Sequence, residues 1–248
     1  MDLSEQRPGN GERHPWEIAR VRALGAILRG RRARVDSILD LGCGDGFVGE
    51  SLRALLDARV LVGVDLHLPD GACGVSPGRD HVIERYQSDQ PVGERRFDLV
   101  LALDVIEHVA DGGALLDDVV TRRAARGGLV LVTVPAFQAL FSDHDRTLRH
   151  YRRYSVPELR AVVAAAGLEL IEDGYFFASL LAPRAASVLR ERIGRHQPDH
   201  GVGSWQGPPW LTRFIAAALS IDARALLAAR RLGIRIPGLT AWALCSAR

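Results

Sequence analysis

The stretch SILDLGCGDGFVGESL, Ser37 to Leu52, decides the fold. Ile38, Leu39 and Leu41 make a short apolar run, glycines crowd the middle, and Val48 and Leu52 resume at helical spacing. A buried strand, a tight turn and a helix follow from that order. Upstream, Ile18, Val21, Leu24, Gly25 and Leu28 repeat at helical spacing, so a helix over Trp16 to Leu28 precedes the strand. Downstream, RVLVGVDL, FDLVLALD and GLVLVTVP alternate with helical patterns at Val48 to Leu56 and Gly113 to Ala125. Strands that are apolar throughout and separated by helices predict a parallel sheet covered on both faces, a doubly wound α/β fold.

After Pro135 the pattern turns polar and aromatic, in AFQALFSDHDRTLRHYRRYS. Ser155 and Glu158 then form a capping-box signature for a helix that Gly167 closes, and a strand is expected over Leu168 to Phe177. Ala178 to Ile236 reads as an inserted pair of helices split by RHQPDHGVGSWQGPP, and GLTAWALCSAR as a final strand. The expected division is a tail and covering helix at 1–33, a core at 34–177, a helical insertion at 178–236 and a closing strand at 237–248. Within the first part, 1–12 reads as a flexible tail. The insertion is read as a substrate cap or a homodimer contact.

Composition narrows the class. The chain has 248 residues, 47% hydrophobic and 25% charged, with a net charge of +2. That is an ordinary globular balance, and nothing in it calls for a polyanionic partner such as nucleic acid. All the basic side chains other than histidine are arginine, a mark of coding bias. Cys43, Cys73 and Cys245 lie far apart, without the spacing of a zinc site or a disulfide framework. With no signal-peptide pattern and no apolar run of roughly 18 residues, the expected setting is reducing and cytoplasmic, without stable membrane insertion.

A literal G-x-G-x-x-G is present at Gly44, Gly46 and Gly49, as in dinucleotide-binding turns. That register would leave Gly42 and Cys43 inside the strand, whereas a first glycine should follow the strand directly. Starting at Gly42 gives Asp40-Leu41-Gly42-Cys43-Gly44-Asp45-Gly46, with an acid at the strand's end. A carboxylate there repels a pyrophosphate but suits an ammonium group, such as that of a methionine moiety. Asp65, ending the second strand, suits ribose hydroxyls of either cofactor.

In ILDLGCGDG, VGVDL, FDLVLALDVIEHVADG and GGLVLVTVP, taken in order, the chain resembles the class I S-adenosylmethionine-dependent methyltransferases of small-molecule type. The resemblance implies a Rossmann-like sheet of seven strands, ordered 3-2-1-4-5-7-6, with an antiparallel seventh strand. It implies S-adenosylmethionine as cofactor, with Asp40, Gly42, Gly44 and Gly46 at its methionine part and Asp65 and Leu66 at the ribose side. Ser88 and Asp89 fall where the family places the loop facing adenine, and Leu103 and Asp104 beneath the cofactor. The segment RHPWEIARVRALGAIL is similar to one that precedes the first strand in some members. There Arg13, His14 and Trp16 are expected to fold over the site, and Arg20 to meet an acid.

The acceptor side rests on two segments at the carboxyl edge of the sheet. His108, in DVIEHVADG, is expected to line the pocket or serve as a base, while Glu107 reads as a solvated or loop-bonding acid. In SDHDRTLRHYRRYS, His144 is the first choice of general base, with His108 and His150 as substitutes. Asp145, Tyr151 and Tyr154 are expected to contact substrate, and Arg149, Arg152 and Arg153 to be solvated. Asp143, His144, Asp145 and His150 have the ligand types for a divalent ion, but neighbours in sequence do not readily converge, and no metal is expected. Methyl transfer to a small-molecule hydroxyl is the leading reading. N- or C-methylation, a cyclisation or decarboxylation in the same pocket, and a non-enzymatic binding protein are the alternatives.

Overall fold

Unbroken apolar runs place β1 (Ser37–Leu41) and β5 (Phe97–Leu103) at the centre of the sheet, side by side and parallel. The computed structural model describes residues 13–29, 34–194 and 205–248, so the tail expected at 1–12 and residues 195–204 of the turn-rich segment lie outside it. Around that centre stand α1 (Pro15–Leu28), α2 (Phe47–Leu56), β2 (Val60–Val64), β3 (Gly74–Pro77), β4 (Val82–Tyr86), α3 (Gly112–Arg122) and β6 (Ala124–Pro135). They are followed by α4 (Asp143–Thr147), α5 (Val156–Ala165), β7 (Glu169–Phe176), α6 (Leu181–Arg192), α7 (Pro209–Arg231) and β8 (Thr240–Ser246).

The sheet order is β3-β4-β2-β1-β5-β6-β8-β7. Without β3, this is the seven-stranded order expected above, with β8 antiparallel to both β6 and β7. The eighth strand is a short edge strand, antiparallel to β4 and exposed along its length. Because neither face of β3 is buried, its sequence carries no alternation by which to read it.

Two apolar layers cover the sheet. On one face Leu116, Val119, Leu159 and Val163 of α3 and α5 meet Val100, Val130 and Val132. On the other, Leu24 and Ile27 of α1, Leu52 of α2 and Leu219 and Leu227 of α7 meet Leu99, Leu131 and Trp242. The second half of the 178–236 segment therefore belongs to the core of the domain. The capping box at Ser155 and Glu158 forms as its spacing predicts. β6 begins at Ala124, four residues before the GLVLVTVP run, where a helix end was expected.

Candidate active site

At the end of β1 the chain turns through Gly42, Gly44 and Gly46, with φ of 64°, 56° and 83°. L side chains are strained in that left-handed region, so the turn needs its alternate glycines. Gly42 and Cys43 amides donate to Val64 O at 2.8 and 3.2 Å, tying the turn to the end of β2. Asp65 completes the tie: its Oδ2 accepts from Gly44 N and its Oδ1 from His67 N, both at 2.9 Å. Leu66 beside it is 77% exposed.

Asp40 lies beneath this turn, 3% exposed, its carboxylate making no hydrogen bond to a described residue. Gly49 on α2 makes room for it, since a methyl group there would collide with the Asp40 carboxylate. Burial pushes the Asp40 carboxyl up to about 7. A buried carboxylate at a strand end is the group a ligand ammonium would complete, and the turn leaves backbone where a Cβ would intrude; both fit a methionine-bearing ligand.

The first helix closes over the turn. Arg13 pairs with Asp45 and lies over the Phe47 ring at 4.3 Å. His14 caps α1, its Nδ1 accepting from Trp16 N at 3.1 Å, and burial lowers its pKa. Trp16 lies against Phe177, ring centroids 6.2 Å apart, with the Arg20 guanidinium over it. Arg20 is itself buried and meets its expected acid: Nη2 lies 2.8 Å from Asp104 Oδ2 and donates to Thr133 Oγ1 at 3.0 Å. Asp104 ends β5 with φ of 57°, and Leu103 before it is buried in the core. Ser88 sits half-buried in the bend after β4, and the carboxylate of Asp89 pairs with Arg123.

The second cluster gathers just beyond β5. Glu107 is fully buried, and neither of its carboxylate oxygens has a hydrogen-bond partner among the described residues. Burial, then the charge of Asp104, raise its carboxyl well above the ordinary range. The rings of His108 and His150 meet edge to face at 4.5 Å, and one ligand atom from each of Glu107, His108 and His150 lies within 4.8 Å of the others. His144, on α4, falls outside this trio.

Asp145 holds from within the lid, the segment 136–155 between β6 and α5. It is fully buried, and its oxygens take Arg153 Nε at 2.8 Å, Arg184 Nη2 at 2.9 Å, His150 Nδ1 at 3.1 Å and the amide of Ser142 at 3.0 Å. Burial alone would raise its carboxyl, but hydrogen bonds from His150 and Arg153 and the charges of Arg153 and Arg184 outweigh it and hold it far below the usual range.

Four expectations change accordingly. Asp145 has no oxygen left for a substrate. Tyr154 is 4% exposed in the core, its backbone bridged to Ala136. Arg153 is buried rather than solvated, because Asp145 compensates its charge, whereas Arg149 and Arg152 are exposed. Glu107 is enclosed rather than solvated; its place after Ile106, at the end of an apolar run, was the available signal. Tyr151 is 59% exposed, its amide bound to Glu107 O at 2.7 Å. Arg184, in the insertion, had no motif to mark it. With Asp145 engaged by arginines and Asp143 paired to Arg146, the four-residue metal set from Asp143 to His150 does not assemble.

The raised Asp40 carboxyl makes a prediction about ligand binding. A ligand ammonium favours the carboxylate, so below about pH 7 binding must first remove a proton, costing about tenfold in affinity per pH unit. Titration calorimetry with S-adenosylhomocysteine should show affinity rising up to that pH and levelling off above it, and Asp40→Asn should abolish the dependence. In the free fold the sign is opposite: the unfolded chain ionises first, so Asp40 costs stability as pH rises from about 4 to about 7.

A family profile described as a methyltransferase domain matches residues 14–173, more than half of the chain. A ubiquinone biosynthesis O-methyltransferase of Azorhizobium caulinodans is 33% identical over 158 residues, 54% of this chain and 59% of the relative. One from Nitrobacter winogradskyi is 35% identical over 89 residues, 32% of this chain and 31% of its own length. The chain thus matches less than two thirds of the length of these relatives. Among solved structures, the N-methyltransferase NodS from Bradyrhizobium japonicum, in complex with S-adenosylhomocysteine, aligns over 99% of this chain and 94% of its own, at TM-score 0.53 and 16% identity. The cyclase SpnF aligns over 93% and 80%, at TM-score 0.52 and 19% identity, so the fold by itself does not select the reaction. The profile match, the glycine turn between Asp40 and Asp65 and the sheet order place the chain among the class I S-adenosylmethionine-dependent methyltransferases.

Proposed function

We propose that the chain transfers a methyl group to a hydroxyl of a small-molecule acceptor, with Glu107, His108 and His150 taking up the hydroxyl proton. The observation that carries this reading is the enclosed Glu107 carboxylate beside two imidazoles at the carboxyl edge of the sheet. A hydroxyl attacks poorly until its proton is removed, and imidazole has the pKa to remove it near neutrality. His150 is favoured over His144 because it belongs to the trio and its ring is steered by Asp145. The relatives named for O-methylation in ubiquinone biosynthesis favour oxygen over nitrogen or carbon as the accepting atom.

Bound S-adenosylmethionine supplies an electrophilic methyl on a sulfonium. The chain's part is to hold the donor by Asp40, the Gly42 to Gly46 turn and Asp65, with Leu66, Ser88 and Asp89 along the adenosine side and Leu103 and Asp104 beneath it. Arg20, whose charge is felt at both Asp40 and Glu107, joins the two halves of the site. The lid and α1 exclude water and align the acceptor.

A phenol and catechol panel with deuterated methyl donor tests the reading: the product should gain one labelled methyl on oxygen. Labelling only of amines or carbon acceptors in parallel panels would overturn it.

A second reading of the trio is favoured by its donor set. One carboxylate and two imidazoles within 4.8 Å of one another suit a transition-metal or zinc ion. Such an ion would lower the pKa of a coordinated acceptor hydroxyl. If it does, EDTA should remove most turnover and a divalent salt restore it. EDTA-insensitive turnover leaves proton removal to the histidines.

A further inference from the structure

α7 is apolar on two opposite faces. Ala216, Leu219, Ala223 and Leu227 are buried on the inner face, where α7 packs on α1 and β7. The outer face carries Trp210, Phe214, Ile221 and Leu232, 68%, 67%, 65% and 79% exposed, with alanines between them. Spacings of four, seven and eleven residues return these to one line along the helix. Isolated exposed apolar residues are ordinary, whereas a continuous stripe along a 23-residue helix marks an interaction surface.

The charge beside the stripe is one-sided. Arg213, Arg224 and Arg231 recur at spacings that return them to one flank of the helix. Arg22 of α1 reaches the same flank, donating to Ser220 Oγ at 3.3 Å. The single acid of α7, Asp222, lies on the other flank, where its Oδ2 accepts from Ser179 N at 3.0 Å.

We propose that this face of α7 docks on an anionic lipid bilayer surface. Such a surface offers an acyl layer to Trp210, Phe214 and Ile221 and anionic headgroups to the arginine row. A second copy of the chain would bring the same arginines and no uncommitted acid on this helix. No helix among the described residues is long and apolar enough to cross a membrane, so α7 lies along the surface. On its buried side the start of α7 lies near α1: Trp205 Nε1 donates to Thr212 Oγ1 at 2.8 Å, and its ring meets His14, at the first turn of α1, at 5.4 Å.

Cosedimentation of the full chain with vesicles of phosphatidylcholine plus phosphatidylglycerol, against phosphatidylcholine alone, tests the proposal. Binding should require the anionic lipid and weaken roughly fivefold for each of Arg213→Gln, Arg224→Gln and Arg231→Gln. Phe214→Glu should reduce it by about tenfold or more. Brominated acyl chains should quench tryptophan emission, and Trp210→Phe should remove most of that quenching. Circular dichroism checks that each variant is folded, and Ile221→Ser replaces Phe214→Glu if the latter is not. Failure of the folded wild-type chain to bind anionic vesicles would overturn the proposal, as would binding insensitive to both apolar substitutions. A dimer in sedimentation velocity that Phe214→Glu dissociates, without vesicle binding, would assign the face to a second copy instead.

Discussion

Asp145→Ala is expected to lower the unfolding free energy by about 3–5 kcal/mol, the usual cost of removing one partner from a buried ion pair. Four residues lose their counter-charge or hydrogen-bond acceptor at once: Arg153, Arg184, His150 and Ser142. Arg153 is buried and cannot recover water without opening the lid. Urea unfolding should show a lower midpoint with an unchanged slope. Arg153→Met added to Asp145→Ala should restore part of the loss, because a buried methionine leaves no stranded charge. Since the native fold holds the Asp145 carboxyl far below its ordinary value, the contribution is complete above about pH 4 and fades as pH falls below it. A loss under about 1 kcal/mol would place this cluster in water rather than in the interior.

His150→Ala is expected to reduce kcat by about two to four orders of magnitude with a hydroxyl acceptor, the range for loss of a general acid–base group. His144→Ala should change kcat far less, because His144 stands outside the trio of Glu107, His108 and His150. Affinity for S-adenosylhomocysteine should stay near wild type in both, since the residues proposed to hold it belong to the glycine turn. His150 also donates its Nδ1–H to the Asp145 carboxylate, so its loss perturbs the lid as well. His150→Gln separates the two roles. It keeps a hydrogen-bonding group toward Asp145 while removing the proton acceptor, so it should fold like wild type and remain slow. Turnover of His150→Gln near the wild-type rate would leave the ring with a positioning role only.

The sheet was legible because its signals are local. Runs such as FDLVLALD are apolar on both faces, and only a strand buried on both sides of a parallel sheet needs that. The glycine turn was legible for a related reason: alternate glycines between two strand-end acids serve a backbone conformation that other residues resist. Gly49 belongs to the literal G-x-G-x-x-G that the Gly42 register sets aside, and its structural service is to Asp40, a contact between elements that spacing does not report. The lid was harder. The sequence shows six charged or imidazole side chains between Asp143 and His150 but not which of them point inward. Arg184 decides that partly from α6, nearly forty residues away, by engaging Asp145. Glu107 and Arg153 were misjudged for the same reason, since charge in a loop reads as solvated until its partner is known.

Titration calorimetry on ligand-stripped protein tests the central claim most directly, comparing S-adenosylhomocysteine, S-adenosylmethionine, NAD and NADP on the wild type and on Asp65→Ala. The glycine turn between Asp40 and Asp65 predicts binding of the two adenosyl-methionine ligands, no binding of NAD or NADP, and weaker adenosyl binding in the variant. Binding of a nicotinamide cofactor alone, or wild-type affinity in Asp65→Ala, would contradict it.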